Sequence, residues 1–126
     1  ESLEYHESGM VTFGLLGTKA GKEAKLTFDP DKIKRRAMFP EVKEIFKDYS
    51  VFIGGTTSFD ITPKQYNKLD AVLRYAAEHG YSFDQILFVG DDFADGGNDS
   101  QIRLGGMDYI RIDDYTRLPE KLEFLF

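Results

Sequence analysis

Four aspartates follow closely on one apolar run near residue 90. The run QILFVG covers residues 85–90, and the segment DDFADGGND after it holds Asp91, Asp92, Asp95 and Asp99. Carboxylates this crowded repel one another unless a cation or a proton intervenes, and the glycines among them let the backbone turn tightly and approach a ligand. A hard divalent cation with oxygen ligands would relieve the repulsion, so the pattern predicts a Mg²⁺ site.

An ordinary turn and a calcium loop are the two other interpretations of this aspartate loop. Asp and Gly are also favoured in ordinary turns, and that alternative stays open on the segment alone. A calcium loop of the EF-hand kind is excluded. With Asp91 as the first ligand, Phe93 and Ile102 fall at ligand positions, and the second of these requires a bidentate Glu.

Lys68 is a second candidate for chemistry. The sequence places it in the first turn of a helix, where the helix dipole disfavours a cation. A nearby phosphate would reverse that penalty, and helix amino termini attract phosphate. A solvent-exposed lysine is the alternative, so Lys68 gains weight only together with the aspartate loop.

The first half of the chain is predicted to be a β-rich unit with one helical layer. A hairpin is expected to turn at Ser8-Gly9, and AKLTF, residues 24–28, is expected to add a strand after the loop GTKAGKE. Asp29 suits an N-cap with Pro30 as the first helical residue, and Pro40 is expected to interrupt that helix. The segments SVFIGG and TSFDITP are expected to pair as strands.

The second half alternates between helical and strand patterns. Apolar residues recur at helical spacing within residues 64–81, and Gly80 ends that helix. The run QILFVG lacks alternation, as is typical of a strand buried on both faces. NDSQIRL is a short helix, MDYIRI a strand and TRLPEKLEFLF a closing helix, an order that predicts a parallel α/β layer.

Composition and charge exclude several classes of function. The net charge of −6 disfavours nucleic acid as a partner, and the basic cluster at residues 32–36 is expected to be a solvated helix face. No apolar run is long enough to cross a bilayer, and no cysteine is present for disulfides or thiolate metal sites. We therefore expect a cytoplasmic protein without nucleic-acid or membrane partners, and a homo-oligomer stays open.

Two segments together resemble a known superfamily. FIGGTTSFDITPKQYNKLDAV and ILFVGDDFADGGNDSQI are similar to the carboxyl half of haloacid dehalogenase (HAD) phosphotransferases with an α/β cap, a branch that includes eukaryotic phosphomannomutases and sugar-phosphate phosphatases. The matching motifs are Ile61-Thr62-Pro63 before the helix of Lys68, then Gly90-Asp91 and Asn98-Asp99. The resemblance implies a HAD-like parallel-sheet core half, residues 63–126, and an α+β cap, residues 1–62.

The resemblance also implies residue roles and a cofactor. Lys68 would neutralise the phosphoryl group during transfer, and Asp91 would bind Mg²⁺ with support from Asn98 and Asp99. Ser58 and Asp60 match positions that contact sugar hydroxyls. The implied partner is a small phosphorylated metabolite, a sugar phosphate.

Two departures from the family pattern shape the expected reaction. The phosphorylated Asp-x-Asp motif is missing, and Asp29-Pro30-Asp31 is interpreted as a helix start, so the chain is expected to be a carboxyl-terminal fragment without its nucleophile. Glu7, Thr18 and Lys25 stand near the positions of the arginines that clamp a distal phosphate in the mutases. One lysine replaces several guanidiniums poorly.

We therefore expect the complete protein to hydrolyse a phosphomonoester through an aspartyl-phosphate on an upstream aspartate, and the fragment alone to be inactive. A phosphomannomutase-type transfer and a noncatalytic α/β binding module are the alternatives.

Overall fold

The computed structural model describes residues 1–126, which divide into two compact units. The first unit consists of residues 1–67 and 95–98, and the second of residues 68–94 and 99–126. Both units contain strands and helices, in agreement with the predicted α/β class. The assignment of residues 1–62 to a cap and of residues 63–126 to half of a core stays a prediction.

The first unit is built on a four-stranded antiparallel sheet. The predicted hairpin at Ser8-Gly9 is confirmed, and Gly9 adopts the left-handed φ of 87° that favours glycine. The predicted pairing of SVFIGG with TSFDITP is confirmed as well. In spatial order the strands are β1 (Leu3–Tyr5), β2 (Val11–Gly14), β4 (Ser58–Pro63) and β3 (Tyr49–Gly54).

The two faces of this sheet differ, because successive side chains of a strand point in opposite directions. Phe59 and Ile61 of β4 are buried in one cluster with Val42, which belongs to helix α2 (Ile33–Ile45). Asp60 lies between them in β4 and is the cross-strand partner of Thr12 in β2. The sheet therefore has an apolar face packed on α2 and a second face that carries Asp60 and Thr12.

The prediction of a strand at residues 24–28 is wrong. Helix α1 runs Lys22–Phe28, so it also takes up residues 22–23 of the predicted loop. Lys, Glu, Ala and Leu in this segment are strong helix formers. Their preference outweighs that of the β-branched and aromatic residues at its end, which suggested a strand.

Helix α2 begins at Ile33, later than the predicted start at Pro30, and it continues through Pro40. A proline inside a helix removes one hydrogen bond, here the bond to the carbonyl of Arg36. Pro40 and Arg36 are both exposed, so water can bind that carbonyl. The predicted interruption at Pro40 is therefore wrong.

Asp29 caps α2 from outside the helix. The N-cap residue is Lys32 rather than the predicted Asp29. The carboxylate of Asp29 nevertheless accepts the backbone N–H groups of Lys34 and Arg35, at 3.0 and 3.1 Å. A helix amino terminus offers such unpaired N–H groups, so the acid fulfils the predicted purpose from a different position.

Arg35 corrects the prediction of a fully solvated basic face. Its side chain is 1% exposed, whereas the neighbouring basic residues of α2 are exposed as predicted. Its Nε donates to Asp29 Oδ2 at 2.9 Å, and its Nη1 donates to the carbonyls of Gly54 and Gly55 at 2.6 and 3.1 Å. Because those carbonyls lie where β3 ends, Arg35 ties α2 to the turn between β3 and β4.

The surroundings of Asp29 lower its pKa below the ordinary value of 3.8. Burial by itself would raise this pKa. The hydrogen bond from the Arg35 guanidinium, the backbone N–H groups of Lys34 and Arg35, and the guanidinium charge together outweigh burial. Asp29 is therefore charged in the folded protein at neutral pH.

The second unit confirms the predicted helix–strand–helix–strand order. Strands β5 (Leu87–Gly90) and β6 (Asp108–Arg111) pair in parallel, and helices α3 (Lys68–His79) and α4 (Ser100–Leu104) accompany them. The expectation that QILFVG is buried on both faces is wrong at Leu87, which is 38% exposed. Its strand pairs with β6 alone, so the sheet is only two strands wide.

The predicted closing helix is shorter than expected. Only α5 (Leu118–Lys121) is α-helical, and 3₁₀ turns lie on either side. Helices depend mainly on packing an apolar face, whereas Phe124 and Phe126 here are 67% and 103% exposed. None of the helices in the chain combines the length and apolar character that crossing a membrane requires.

Replacing Arg35 with methionine should lower the free energy of unfolding by about 3–5 kcal/mol, because the Asp29 carboxylate would stay buried without its partner. Urea denaturation measures the change. The matched variant Arg36→Met alters an exposed arginine of the same helix and should change stability by about 0.5 kcal/mol or less. Equal effects of the two substitutions would show that the buried pair has no special part in stability.

Acid should remove the contribution of Asp29. Because its folded-state pKa lies below 3.8, the charged carboxylate stabilises the fold above that pH, and the stabilisation disappears as the pH falls through the folded-state value. We expect Asp29→Asn to unfold more easily than the unsubstituted chain at about pH 7, and the difference to shrink below about pH 4. Urea titrations at both pH values test this, and a difference that grows in acid would contradict it.

Candidate active site

Lys68 is the first residue of α3, which confirms its predicted place in the first helical turn. The preceding residues 63–67 form a turn in which the N–H of Tyr66 donates to the carbonyl of Pro63 at 2.9 Å. The side chain of Lys68 is 45% exposed. Its ammonium is therefore accessible at the amino end of a twelve-residue helix, where the dipole favours anions.

A buried carboxylate closes the loop that follows β5. Asp99 is 0% exposed, and its Oδ2 accepts the backbone N–H groups of Asp91 and Asp92 at 3.0 and 3.1 Å. The backbone N–H of Asp99 donates in turn to the carbonyl of Asp92 at 3.0 Å. Asp99 thereby fixes the two residues at the carboxyl end of β5.

Gly90 allows this carboxylate to approach the end of the strand. A Cβ atom added at residue 90 would lie 2.9 Å from Cγ of Asp99. That separation is shorter than real Cβ contacts, so any side chain at residue 90 would displace Asp99. The glycine before the aspartates therefore serves the close packing of strand and carboxylate rather than a turn.

Lys68 and Asp99 form an ion pair. The Nζ of Lys68 donates to Oδ1 of Asp99 at 2.5 Å. The same Nζ lies 6.0 Å from the centroid of the Phe88 ring, at the outer limit of a cation–π contact. Both carboxylate oxygens of Asp99 are thus engaged, one by the backbone of the loop and one by the lysine.

These contacts lower the pKa of Asp99 below its ordinary value of 3.8. Burial alone would raise the pKa. The hydrogen bond from Lys68, the backbone N–H groups of Asp92 and Asp91, and the positive charge of the lysine outweigh it. Asp99 is therefore an anion at neutral pH and can hold the ammonium in place.

Asp91 presents an accessible carboxylate beside this ion pair. Its side chain is exposed, and the only hydrogen bond of the residue is the backbone bond to Asp99. The chain holds no group of three or more His, Cys, Asp or Glu residues arranged around a metal. Mg²⁺ commonly takes one or two protein carboxylates and completes its shell with water and substrate phosphate. An exposed Asp91 fits that pattern, whereas Asp99 fits the part of a support.

Ser58 and Asp60 occupy the polar face of the sheet in the first unit. The Ser58 hydroxyl donates to the carbonyl of Gly54 at 3.1 Å, and the carboxylate of Asp60 accepts from the Thr12 hydroxyl at 2.9 Å. Asn98 also belongs to the first unit and is exposed. The predicted substrate contacts of Ser58 and Asp60, and the predicted metal support from Asn98, stay predictions.

The structure brings Lys68, Asp91 and Asp99 together in one unit. Sequence reasoning missed Arg103, whose Nε donates to the carbonyl of Phe93 at 2.8 Å and holds the same loop from α4. Its one signal was its position a turn after Asp99 in a predicted short helix.

Comparison with known proteins adds a family to this geometry. The family model described as eukaryotic phosphomannomutase matches residues 2–109. The phosphomannomutase of Schizosaccharomyces pombe is 35% identical over 100 residues, which cover 75% of this chain and 38% of that protein. The Arabidopsis thaliana phosphomannomutase is 32% identical over the same length, and the match covers 39% of it. The chain thus spans well under half of these relatives.

A solved structure shares the fold. An N-terminally truncated IMP-nucleotidase from Plasmodium falciparum, with IMP bound, superposes with a TM-score of 0.64 at 16% sequence identity. The superposition covers 96% of this chain and 30% of the nucleotidase. The nucleotidase has the HAD fold, so the predicted HAD-like class is confirmed.

Replacing Asp99 with alanine should free the loop after β5, because the N–H groups of Asp91 and Asp92 would lose their acceptor. Amide hydrogen exchange at these two residues should speed up about tenfold or more, the factor that corresponds to losing roughly 1.4 kcal/mol of protection. Asp108→Ala, at an exposed residue of β6, is the matched control and should leave both rates unchanged. Unchanged exchange in Asp99→Ala would contradict the proposed closure of the loop.

Proposed function

Because this chain belongs to the eukaryotic phosphomannomutase family of the HAD superfamily, we propose that the complete protein moves a phosphoryl group between two positions of a sugar phosphate. The observation that carries the proposal is the Lys68–Asp99 pair beside Asp91 at the carboxyl end of a parallel strand. Ligands of open α/β sheets bind at that end of the strands. Their position at this end supports a part for these residues in binding an anionic phosphoryl group.

The preference for simple hydrolysis expected from the sequence is the less well supported alternative. It depended on Glu7, Thr18 and Lys25 standing where the mutases have arginines. Relatives that share 32–35% identity over 100 residues are phosphomannomutases, and the family model matches nearly the whole chain. A few positions of a cap weigh less than a match of that extent.

One of those positions also keeps a cation. The Nζ of Lys25 in α1 donates to the carbonyl of Thr18 at 3.0 Å. An ammonium at this place can still attract a phosphate, although it lacks the fork of donors that a guanidinium offers.

Lys68 would stabilise the charge that develops on the transferring group. Phosphoryl transfer depends on positioning and on cations around the phosphoryl oxygens. Asp99 holds the Lys68 ammonium by a 2.5 Å hydrogen bond, and the low pKa of Asp99 keeps that anchor charged. The side chain of Lys68 is therefore already oriented before an anion binds, and it loses little conformational freedom on binding.

Asp91 would supply a carboxylate ligand for Mg²⁺, with its backbone fixed by Asp99. When bound, Mg²⁺ would offset negative charge on the phosphoryl oxygens. Asp99 would support this ligand, as the resemblance implies, because both its oxygens are already engaged within the protein.

The phosphorylated aspartate of the reaction is proposed to lie outside residues 1–126. Asp29-Pro30-Asp31 is the one Asp-x-Asp of this chain, and Asp29 is 3% exposed and paired with Arg35. A nucleophile must reach its substrate, and a carboxylate buried against a guanidinium cannot. This supports the interpretation of the segment as a helix start.

In the full-length protein, Lys68→Met should lower kcat for the interconversion of mannose 1-phosphate and mannose 6-phosphate by about a hundredfold to ten-thousandfold, the usual cost of removing a charge-stabilising or acid–base group. Asp91→Ala should do the same. Lys121→Met, at an exposed lysine of α5, is the control and should retain full activity.

The assay should follow sugar phosphates and inorganic phosphate together. Interconversion without net release of phosphate supports a mutase, whereas release in step with substrate loss would favour the hydrolase. Near-normal activity of both site variants would overturn the assignment of the site.

A further inference from the structure

The polar face of the sheet in the first unit carries a chain of hydrogen bonds. Thr12 in β2 and Asp60 in β4 are cross-strand partners, and the Thr12 hydroxyl donates to Oδ1 of Asp60 at 2.9 Å. The Nε2 of His6 lies 3.0 Å from the same hydroxyl oxygen. His6 follows β1 directly, at the hairpin.

Counting hydrogens gives this chain a direction. A threonine hydroxyl has one hydrogen to donate, and here it goes to Asp60. The bond between His6 and Thr12 must then have the imidazole as donor, so the hydrogen lies on Nε2. The order is His6 to Thr12 to Asp60, and each bond polarises the next.

A second constraint acts on the Asp60 carboxylate. A Cβ atom added at Gly54 would lie 2.5 Å from Cγ of Asp60, so the carboxylate packs over bare backbone of the neighbouring strand β3. Gly54 and Thr12 thus fix the carboxylate from two sides. Oδ2 of Asp60 has no hydrogen-bond partner within the chain. Every buried side-chain oxygen does have such a partner, so Oδ2 must be accessible to solvent.

We propose that His6 and Thr12 are positioning residues that hold Asp60 as a fixed acceptor for hydroxyl groups of the substrate's sugar ring. The inference rests on the proposed function through the assignment of Asp60 as a substrate contact. A carboxylate repels phosphate, and Glu4, the cross-strand partner of Thr12 in β1, adds a second acid to the same row. This row therefore selects the uncharged, hydroxylated part of the substrate.

The kinetic test uses full-length protein and two substrates, mannose 1-phosphate and phenyl phosphate, whose leaving group carries no sugar hydroxyls. Thr12→Val removes the central hydroxyl and keeps the side-chain shape. It should raise KM for mannose 1-phosphate about tenfold and leave kcat within about twofold, because it weakens a contact that is made equally in the ground state and the transition state. KM for phenyl phosphate should stay unchanged. His6→Leu should change the same KM in the same direction, and His6→Gln, which keeps an N–H donor, should restore most of it.

The control is Thr27→Val, because the Thr27 hydroxyl bonds only to carbonyls of its own helix α1. It should leave both KM values unchanged. An unchanged KM for mannose 1-phosphate in Thr12→Val, or an equal rise for phenyl phosphate, would overturn the inference.

A spectroscopic measurement on the unsubstituted protein tests the direction of the hydrogen bonds even if the variants fail to fold. In the unsubstituted full-length protein at about pH 9, nitrogen NMR should show the His6 hydrogen on Nε2, and a hydrogen on Nδ1 would overturn the relay. If the protein binds mannose 1-phosphate without converting it, the proposed function fails. Calorimetric binding of that sugar phosphate by Thr12→Val then decides the inference separately, since unaltered affinity would overturn it.

Discussion

The buried carboxylate of Asp99 is the constraint on which the candidate site depends. A charge placed out of water is costly unless donors surround it, and here two backbone N–H groups and one ammonium do so. The same contacts that satisfy the charge also fix the end of β5 and the start of α3. One carboxylate therefore both orients Lys68 and fixes the loop, so a substitution at Asp99 would change both the candidate site and the loop conformation.

The first unit uses the same device with different partners. Asp29 is buried, caps α2 through its N–H groups, and pairs with a guanidinium that reaches the carbonyls of the β3–β4 turn. In each unit a buried acid pairs with a basic side chain of a helix and so links that helix to the end of a strand. Buried acids of this kind specify the loop conformation in which their charge is paired, more than they add to stability.

Residue types predicted the elements and the site region, because periodicity and turn residues act locally. The hairpin at Ser8-Gly9, the helix of Lys68 and the strand before Asp91 all follow from such patterns. The burial of Arg35 could not be predicted, because a run of basic residues looks the same in the sequence whether or not the fold brings an acidic partner to one of them. For the same reason the sequence could not show that the carboxylate oxygens of Asp99 face the backbone and Lys68.

The two-stranded width of the parallel sheet has a geometric consequence. β5 hydrogen-bonds with β6 alone, so its other side offers a row of backbone groups on which a further strand can assemble. A strand added there in the same direction as β5 would place its last residues beside Gly90 and Asp91. Backbone pairing within the sheet would then position the side chain at the end of such a strand next to the exposed carboxylate of Asp91.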